Sequence, residues 1–281
     1  MKLDRRFSIL ILCVASLAGI ADSLCLVRNT ATRNVYWYQC FKSDDYLADV
    51  KKAPIDIPRL TFTNSKARVV KDGSFSRLSQ HLERLAFFHC EVEEIEDDAF
   101  YGLTKLDLLA FTRNKLRVIK SAWFRGLVNL KTVSFQDNQI KYVEDDFFSI
   151  IPPLEALDIS NNEISCLPTS TFGNFKADEF NFRHNPLTWM CQALLMNWLK
   201  NTEIRNDFLG SQNMDAPYDL TEMCLGKLPK PRLDEDFLNN CIEKTTQEFL
   251  PNIAGDYTVK EACEFLKDKP SPFLNCRQLL M

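Results

Sequence analysis

Three histidines and eight glycines in 281 residues leave little material for acid–base catalysis or for a phosphate-cradling loop. The patterns G-x-S-x-G and H-E-x-x-H and a phosphate-binding glycine loop are all missing, so acyl transfer, zinc hydrolysis and nucleotide binding lack their usual signatures. No C-x-x-C pair occurs, which removes support for a zinc ribbon. Beyond the N-terminus there is no run of about 20 apolar residues, so no membrane span is expected, and the C-terminal SPFLNCRQLLM lacks the long apolar tail of a lipid-anchor signal. N-x-S/T is absent too. Only Asn239-Asn240-Cys241 matches the rarer cysteine form, so N-glycans are not expected. Positive charge is not in excess either: the formal charge is -4, which gives no electrostatic reason to seek nucleic acid or anionic lipid.

What the N-terminus does have is MKLDRRFSILILCVASLAGIADS. Lys2, Arg5 and Arg6 precede an apolar stretch from Phe7 to Ile20, and Ala21-Asp22-Ser23 supplies small residues for a peptidase, which predicts a secretory signal peptide cleaved near Ser23. Its removal takes three basic and two acidic groups and moves the formal charge from -4 to -5. Of the ten cysteines Cys13 leaves with it, and the nine that remain enter an oxidising compartment where disulfides are the default. An odd number means that one is free or joins another chain, so a disulfide-linked dimer is one outcome to test.

An internal repeat organises the middle of the chain, from Ile57 to Leu187. Leu106, Leu109, Phe111, Asn114, Leu116, Ile119, Phe124 and Leu127 return 24 residues later as Leu130, Val133, Phe135, Asn138, Ile140, Val143, Phe148 and Ile151. A further copy begins at Leu154, an earlier one at Leu82, a worn one at Ile57 and a clipped one at Ala177, six in all. Apolar residues at the fourth and sixth positions predict a short strand with one buried face. The ninth position must satisfy backbone groups where each strand turns away, and asparagine does so with a donor and an acceptor. Asn114, Asn138, Asn162 and Asn185 should therefore form a ladder, with Ser65 and Cys90 as small substitutes in the first two copies. Phe100, Phe124, Phe148 and Phe172 are expected to form a second stack on the convex side.

At these residues the sequence resembles the leucine-rich repeat family, with its pattern LxxLxLxxNxL. The resemblance implies an α/β fold: a solenoid with a curved parallel sheet of about six repeats, cysteine-bearing caps at both ends and a short helical tail. The corresponding boundaries are a signal peptide over 1–23, an N-terminal cap over 24–56, repeats over 57–187, a C-terminal cap over 188–241 and a helical tail over 242–281. CLVRNTATRNVYWYQC resembles the N-terminal cap hairpin, which implies a Cys25–Cys40 bridge closing a loop worth roughly 3 kcal/mol. The stretch with Asn185-Pro186, Trp189, Cys191 and Trp198 resembles the C-terminal cap, but Thr188 and Met214 stand where one cysteine pair of the family pattern would be. The retained bond would then run from Cys191 to Cys224 or Cys241, and spacing does not choose between them. Cys166 lies three repeats from Cys90, roughly 15 Å away and beyond disulfide reach, so it is expected to meet the tail cysteines, Cys263 and Cys276 among them, or to stay unpaired. The tail segments LDEDFLNNCIEKTTQEFL and YTVKEACEFLKDK read as amphipathic helices without sustained heptads.

Within the family the chain looks most like short secreted mosquito leucine-rich immune proteins. That likeness implies extracellular recognition in innate immunity, with complement-like or pathogen-surface proteins as partners. The alternative is an adhesive or ligand-binding protein of matrix or cell surface. Neither role calls for a cofactor or a metal. His89 and His184 share the eighth repeat position four repeats apart, on the order of 20 Å, and cannot meet at one substrate. Cys90 beside His89 points inward as a ladder residue, and no enzyme is predicted.

Binding is expected at the third, fifth, seventh and eighth positions of each repeat, whose side chains face the concave side. The candidates are Arg59, Arg84, Phe88, His89, Leu108 and Arg113 toward the N-terminal end, then Gln136, Asp158, Glu179 and Arg183. Phe88 and Leu108 beside arginine and His89 make an anchor patch of the kind that dominates interfaces. Pairing of Arg113 with Asp137 across the eighth column is the competing explanation.

Overall fold

The computed structural model describes residues 24–30, 35–204, 216–227 and 234–253. The predicted signal peptide, Met214, Cys263, Cys276 and the second tail helix lie outside the described residues.

Each copy of the repeat supplies one short strand, and successive copies stack in parallel. The hairpin strands β1 (Leu24–Thr30) and β2 (Val35–Phe41) are antiparallel. The parallel strands β3 (Arg59–Thr63), β5 (Arg84–Phe88), β7 (Leu108–Thr112), β9 (Thr132–Ser134), β11 (Leu154–Asp158) and β12 (Ala177–Asn181) complete one eight-stranded sheet in chain order. The intervening two-residue strands β4 (Val69–Val70), β6 (Glu94–Ile95), β8 (Val118–Ile119) and β10 (Tyr142–Val143) pair β4 with β6 and β8 with β10. The variable halves hold 3-10 turns such as Ser121–Phe124 and one short helix, α2 (Phe147–Ile150).

The fourth and sixth columns fill the core as expected. Leu60, Leu85, Leu109, Val133 and Leu157 are buried in one column, and Phe62, Phe87, Phe111 and Phe135 in the other. These four phenyl rings stack nearly parallel, with centroids 4.9, 4.9 and 6.3 Å apart. The expected convex stack is only partly realised. Phe148 meets Phe172 at 4.0 Å, but Phe124 turns to Phe135 and Phe147, because Trp123 also enters that layer and donates from Nε1 to the Ile95 carbonyl.

The asparagine ladder holds one coil to the next. Asn138 Oδ1 accepts from Leu116 N at 3.1 Å, while its Nδ2 donates to the Phe111 and Phe135 carbonyls at 2.6 and 2.9 Å. Asn114, Asn162 and Asn185 repeat the arrangement. In the first copy Ser65 Oγ accepts from Ser43 N, and in the second the Cys90 thiol donates to the Phe88 carbonyl. Backbone groups that the strands abandon are thus satisfied without water.

Both ends are closed. Cys25–Cys40 bridges directly opposed residues of the hairpin, as the resemblance implied. Beside it α1 (Tyr46–Lys52), capped by Asp45, buries Tyr46 and Val50 against the first repeats. At the other end α3 (Trp189–Leu199) starts at Thr188, whose hydroxyl accepts from Cys191 N. The residue that replaces the missing cap cysteine is therefore the helix N-cap. The expected bonding of Cys191 to Cys224 or Cys241 is overturned: Cys191 pairs with Cys166, and Cys224 pairs with Cys241. Thr188 N donates to the Ser165 carbonyl, so the first turn of α3 lies directly against the coil that carries Cys166. Cys224–Cys241 instead joins α4 (Ala216–Lys227) to α5 (Glu235–Ile253), with Leu238 and Ile242 packed on Ala193 of α3. The first tail helix is thus α5, continuing through Pro251 to Ile253.

Candidate functional site

The concave face of the sheet is built from residues in register. Arg59, Arg84, Leu108 and Thr132 stand in one row, Thr61, Ala86, Ala110 and Ser134 in the next, and Thr63, Phe88 and Thr112 in a third. Arg59, Arg84, Phe88 and Leu108 are half-buried, as are Gln136, Glu179 and Arg183 further along.

The middle row departs from expectation. Ala110 is 0% exposed, Ser134 2% and Asp158 5%, so from Thr61 to Asp158 the fifth position forms a covered floor rather than a contact surface. These side chains are short and adjacent strands lie about 4.8 Å apart, so little of each is left open to solvent. Asp158, a predicted binding residue, is covered on the concave side and has its carboxylate engaged within the sheet: it accepts from Ser160 N at 2.9 Å, from Ser160 Oγ at 2.6 Å and from Asn181 Nδ2 at 3.1 Å. Burial pushes its pKa above the ordinary carboxylate value, with the Ser160 and Asn181 hydrogen bonds opposing.

The eighth row has a backbone cause that pattern reading missed. Asn64, His89, Arg113, Asp137, Asn161 and His184 all have φ between 50° and 57°. Asparagine, aspartate and histidine tolerate this left-handed region better than other side chains. The shared position of His89 and His184 therefore reflects a turn and no common chemistry. The first five of these amides donate to the seventh-position carbonyl of the next repeat: Asn64 N to Phe88, His89 N to Thr112, Arg113 N to Gln136, Asp137 N to Ser160 and Asn161 N to Arg183. A run of Asn, His and Asp one residue before the ladder asparagine was the available signal.

Charged members of the patch are partly neutralised. Arg84 Nε lies 3.2 Å from Asp107 Oδ1, and Arg113 Nε lies 3.4 Å from Asp137 Oδ2, the competing explanation offered by the sequence. His89 Nδ1 is 3.0 Å from Asn64 Oδ1 and its ring is exposed. The neighbouring Cys90 thiol is buried, and burial pushes its pKa up to about 12, so it stays protonated at neutral pH.

Register also adds residues that the sequence reading left out. Leu24 opposes Phe41, Leu26 opposes Gln39 and Arg28 opposes Trp37. Gln39 and Phe41 continue into the rows of Thr61 and Thr63. Trp37 donates from Nε1 to Thr61 Oγ1 at 3.0 Å. Facing side chains of the cap hairpin thus belong to the same concave surface as the repeats.

The family model for the BspA type leucine rich repeat region matches residues 68–193 in six copies. With the stacked strands and the asparagine ladder, the fold is a leucine-rich repeat solenoid with a parallel sheet. Solved structures similar to this chain include the TLR13-ssRNA13 complex, at 23% identity over 58% of this chain and 23% of that one, with a TM-score of 0.49. The LRIM1/APL1C complex is similar at 19% identity over 58% of this chain and 35% of that one, with a TM-score of 0.41. The APL1 leucine-rich repeat domain is similar at 20% identity over 53% of this chain and 47% of that one, with a TM-score of 0.39. This chain therefore spans less than half the length of each. No curated protein matches it.

Proposed function

We propose that this chain is a secreted, non-catalytic recognition protein that binds other proteins through its concave sheet and serves in innate immunity. The observation that carries the reading is the sheet itself. Its backbone is held by the asparagine ladder, and its half-buried Arg84, Phe88 and Leu108 stand in fixed rows. A preorganised surface loses less conformational entropy on binding. Three disulfides suit an oxidising, extracellular compartment, and among the described residues no helix is long and apolar enough to cross a membrane. The immune role follows the resemblance to mosquito leucine-rich immune proteins, with complement-like or pathogen-surface proteins as partners.

Six of the nine cysteines beyond the signal peptide are bridged, and Cys90 is a buried thiol. Cys263 and Cys276 form an even remainder, so the odd count requires no second chain.

Binding to a panel of extracellular and pathogen-surface proteins tests the reading. A partner found with the wild-type chain should lose at least tenfold in affinity for Phe88→Glu or Arg183→Glu and keep it for Tyr101→Glu, a 72% exposed residue outside the concave sheet. Loss with Tyr101→Glu alone would overturn the concave assignment.

A further inference from the structure

The cap hairpin presents apolar side chains to solvent on the concave side. Leu24 is 49% exposed and Leu26 37%, and both stand on the concave side by their pairing with Phe41 and Gln39. Phe41 and Phe88 flank Thr63 in one row, and Trp37 adjoins Arg59 in another. The result is an apolar and aromatic area that runs from β1 to β5.

Cations border this area. Arg28 opposes Trp37, Arg59 and Arg84 follow in the same row, and Lys42 and Arg113 stand in the eighth row. Three carboxylates stand among these five cations, Glu83, Asp107 and Asp137, and the last two are each engaged with one arginine. The surface is therefore positive on a chain whose formal charge is -4. That local excess favours an anionic partner, and the exposed leucines and aromatic rings favour one with apolar side chains between its acids.

Resting on the reading of the concave sheet as the recognition surface, we infer that the cap hairpin and the first two repeat strands form one docking site for an acidic protein segment bearing aromatic or aliphatic side chains. Leu24, Leu26, Trp37, Phe41 and Phe88 receive the apolar side chains. Arg28 and Lys42 meet the acids.

The test uses the full secreted chain and fluorescein-labelled seven-residue peptides of alternating glutamate and phenylalanine. Control peptides carry lysine for glutamate or serine for phenylalanine. Fluorescence anisotropy should show binding of the glutamate–phenylalanine peptide and at least tenfold weaker binding of both controls. Leu26→Glu and Arg28→Glu should each weaken binding at least tenfold, whereas Tyr101→Glu, outside the concave sheet, should leave it unchanged. Two variants of different chemistry guard against a folding defect in one, and retention of the wild-type melting temperature identifies a folded variant. Equal binding of the lysine peptide, or binding indifferent to both hairpin variants, would overturn the inference. Absence of peptide binding, alongside a partner that still depends on Phe88 and Arg183, would overturn the docking site while leaving the concave reading intact. Loss of both dependences would remove both.

Discussion

The Cα atoms of Cys166 and Cys191 lie 5.2 Å apart, one coil of the solenoid from each other. Their bond fastens the last full repeat to the first turn of α3, where the terminal apolar cross-section must be covered. Cys166→Ser together with Cys191→Ser should lower unfolding stability by about 3 kcal/mol on the loop-entropy model for a 25-residue separation. Denaturant titration measures the loss. Peptide mapping without reduction should recover Cys166 linked to Cys191 and Cys224 linked to Cys241.

The asparagine ladder predicts a steep local cost. Asn138→Ala would strip the Leu116 amide and the Phe111 carbonyl of their partners inside the coil. Leaving such groups buried and unpaired costs roughly 1–3 kcal/mol each, so a total of about 2–6 kcal/mol is expected in chemical denaturation. Cys90→Ser should be far milder, because Ser65 already fills the same position in the first repeat.

Cys90 also predicts a chemical result. Its thiol is buried with a pKa pushed up to about 12, so alkylating reagents at pH 8 should leave it unmodified in the folded protein and label it at once in denaturant. Peptide mass analysis after alkylation reads the site directly. Rapid native labelling would mean that this coil opens on the time scale of the reaction.

Asp158 makes stability depend on pH in a defined direction. Its folded pKa lies above the ordinary aspartate value because burial disfavours the charged form. Its contribution is therefore fully present below the unfolded value and is lost as pH rises through the folded value. Asp158→Asn should remove that decline, making the variant at least as stable as wild type at pH 7 and flattening the stability profile just above the ordinary carboxylate range. Thermal unfolding across pH 3.5 to 7, spanning the carboxylate range, checks the sign: a variant profile as steep as wild type would contradict it.

The left-handed eighth position gives a further expectation. Arg113 holds φ at 57° with an exposed ion pair to Asp137 that is worth little. Arg113→Gly or Arg113→Asn should leave stability unchanged or raise it by up to about 1 kcal/mol, since these residues accept that backbone more readily. Differential scanning calorimetry would show the shift.

Much of this architecture was legible because a 24-residue period fixes register. Once Asn114, Asn138 and Asn162 are aligned, the buried columns and the ladder follow. The same period could have paired Cys166 with Cys191, which are 25 residues apart, but treating Cys191 through its likeness to a four-cysteine cap directed it to Cys224 or Cys241. Alternation turned Asp158 and Ala110 toward the concave side, yet it carries no information about how deeply a short side chain on that side is buried. Leu24, Leu26, Trp37 and Phe41 went unread because the hairpin lies outside the repeat, and only strand pairing brings it into the same surface.

Hydroxyl-radical footprinting of the chain with and without a bound partner tests the central claim of concave recognition most directly. Trp37, Phe88 and His89 should become protected on binding, while Tyr101 and Tyr142, 72% and 52% exposed outside the concave sheet, should stay as reactive as in the free chain. Protection of Tyr101 and Tyr142 with Trp37 and Phe88 still reactive would place recognition elsewhere on the solenoid and contradict the account.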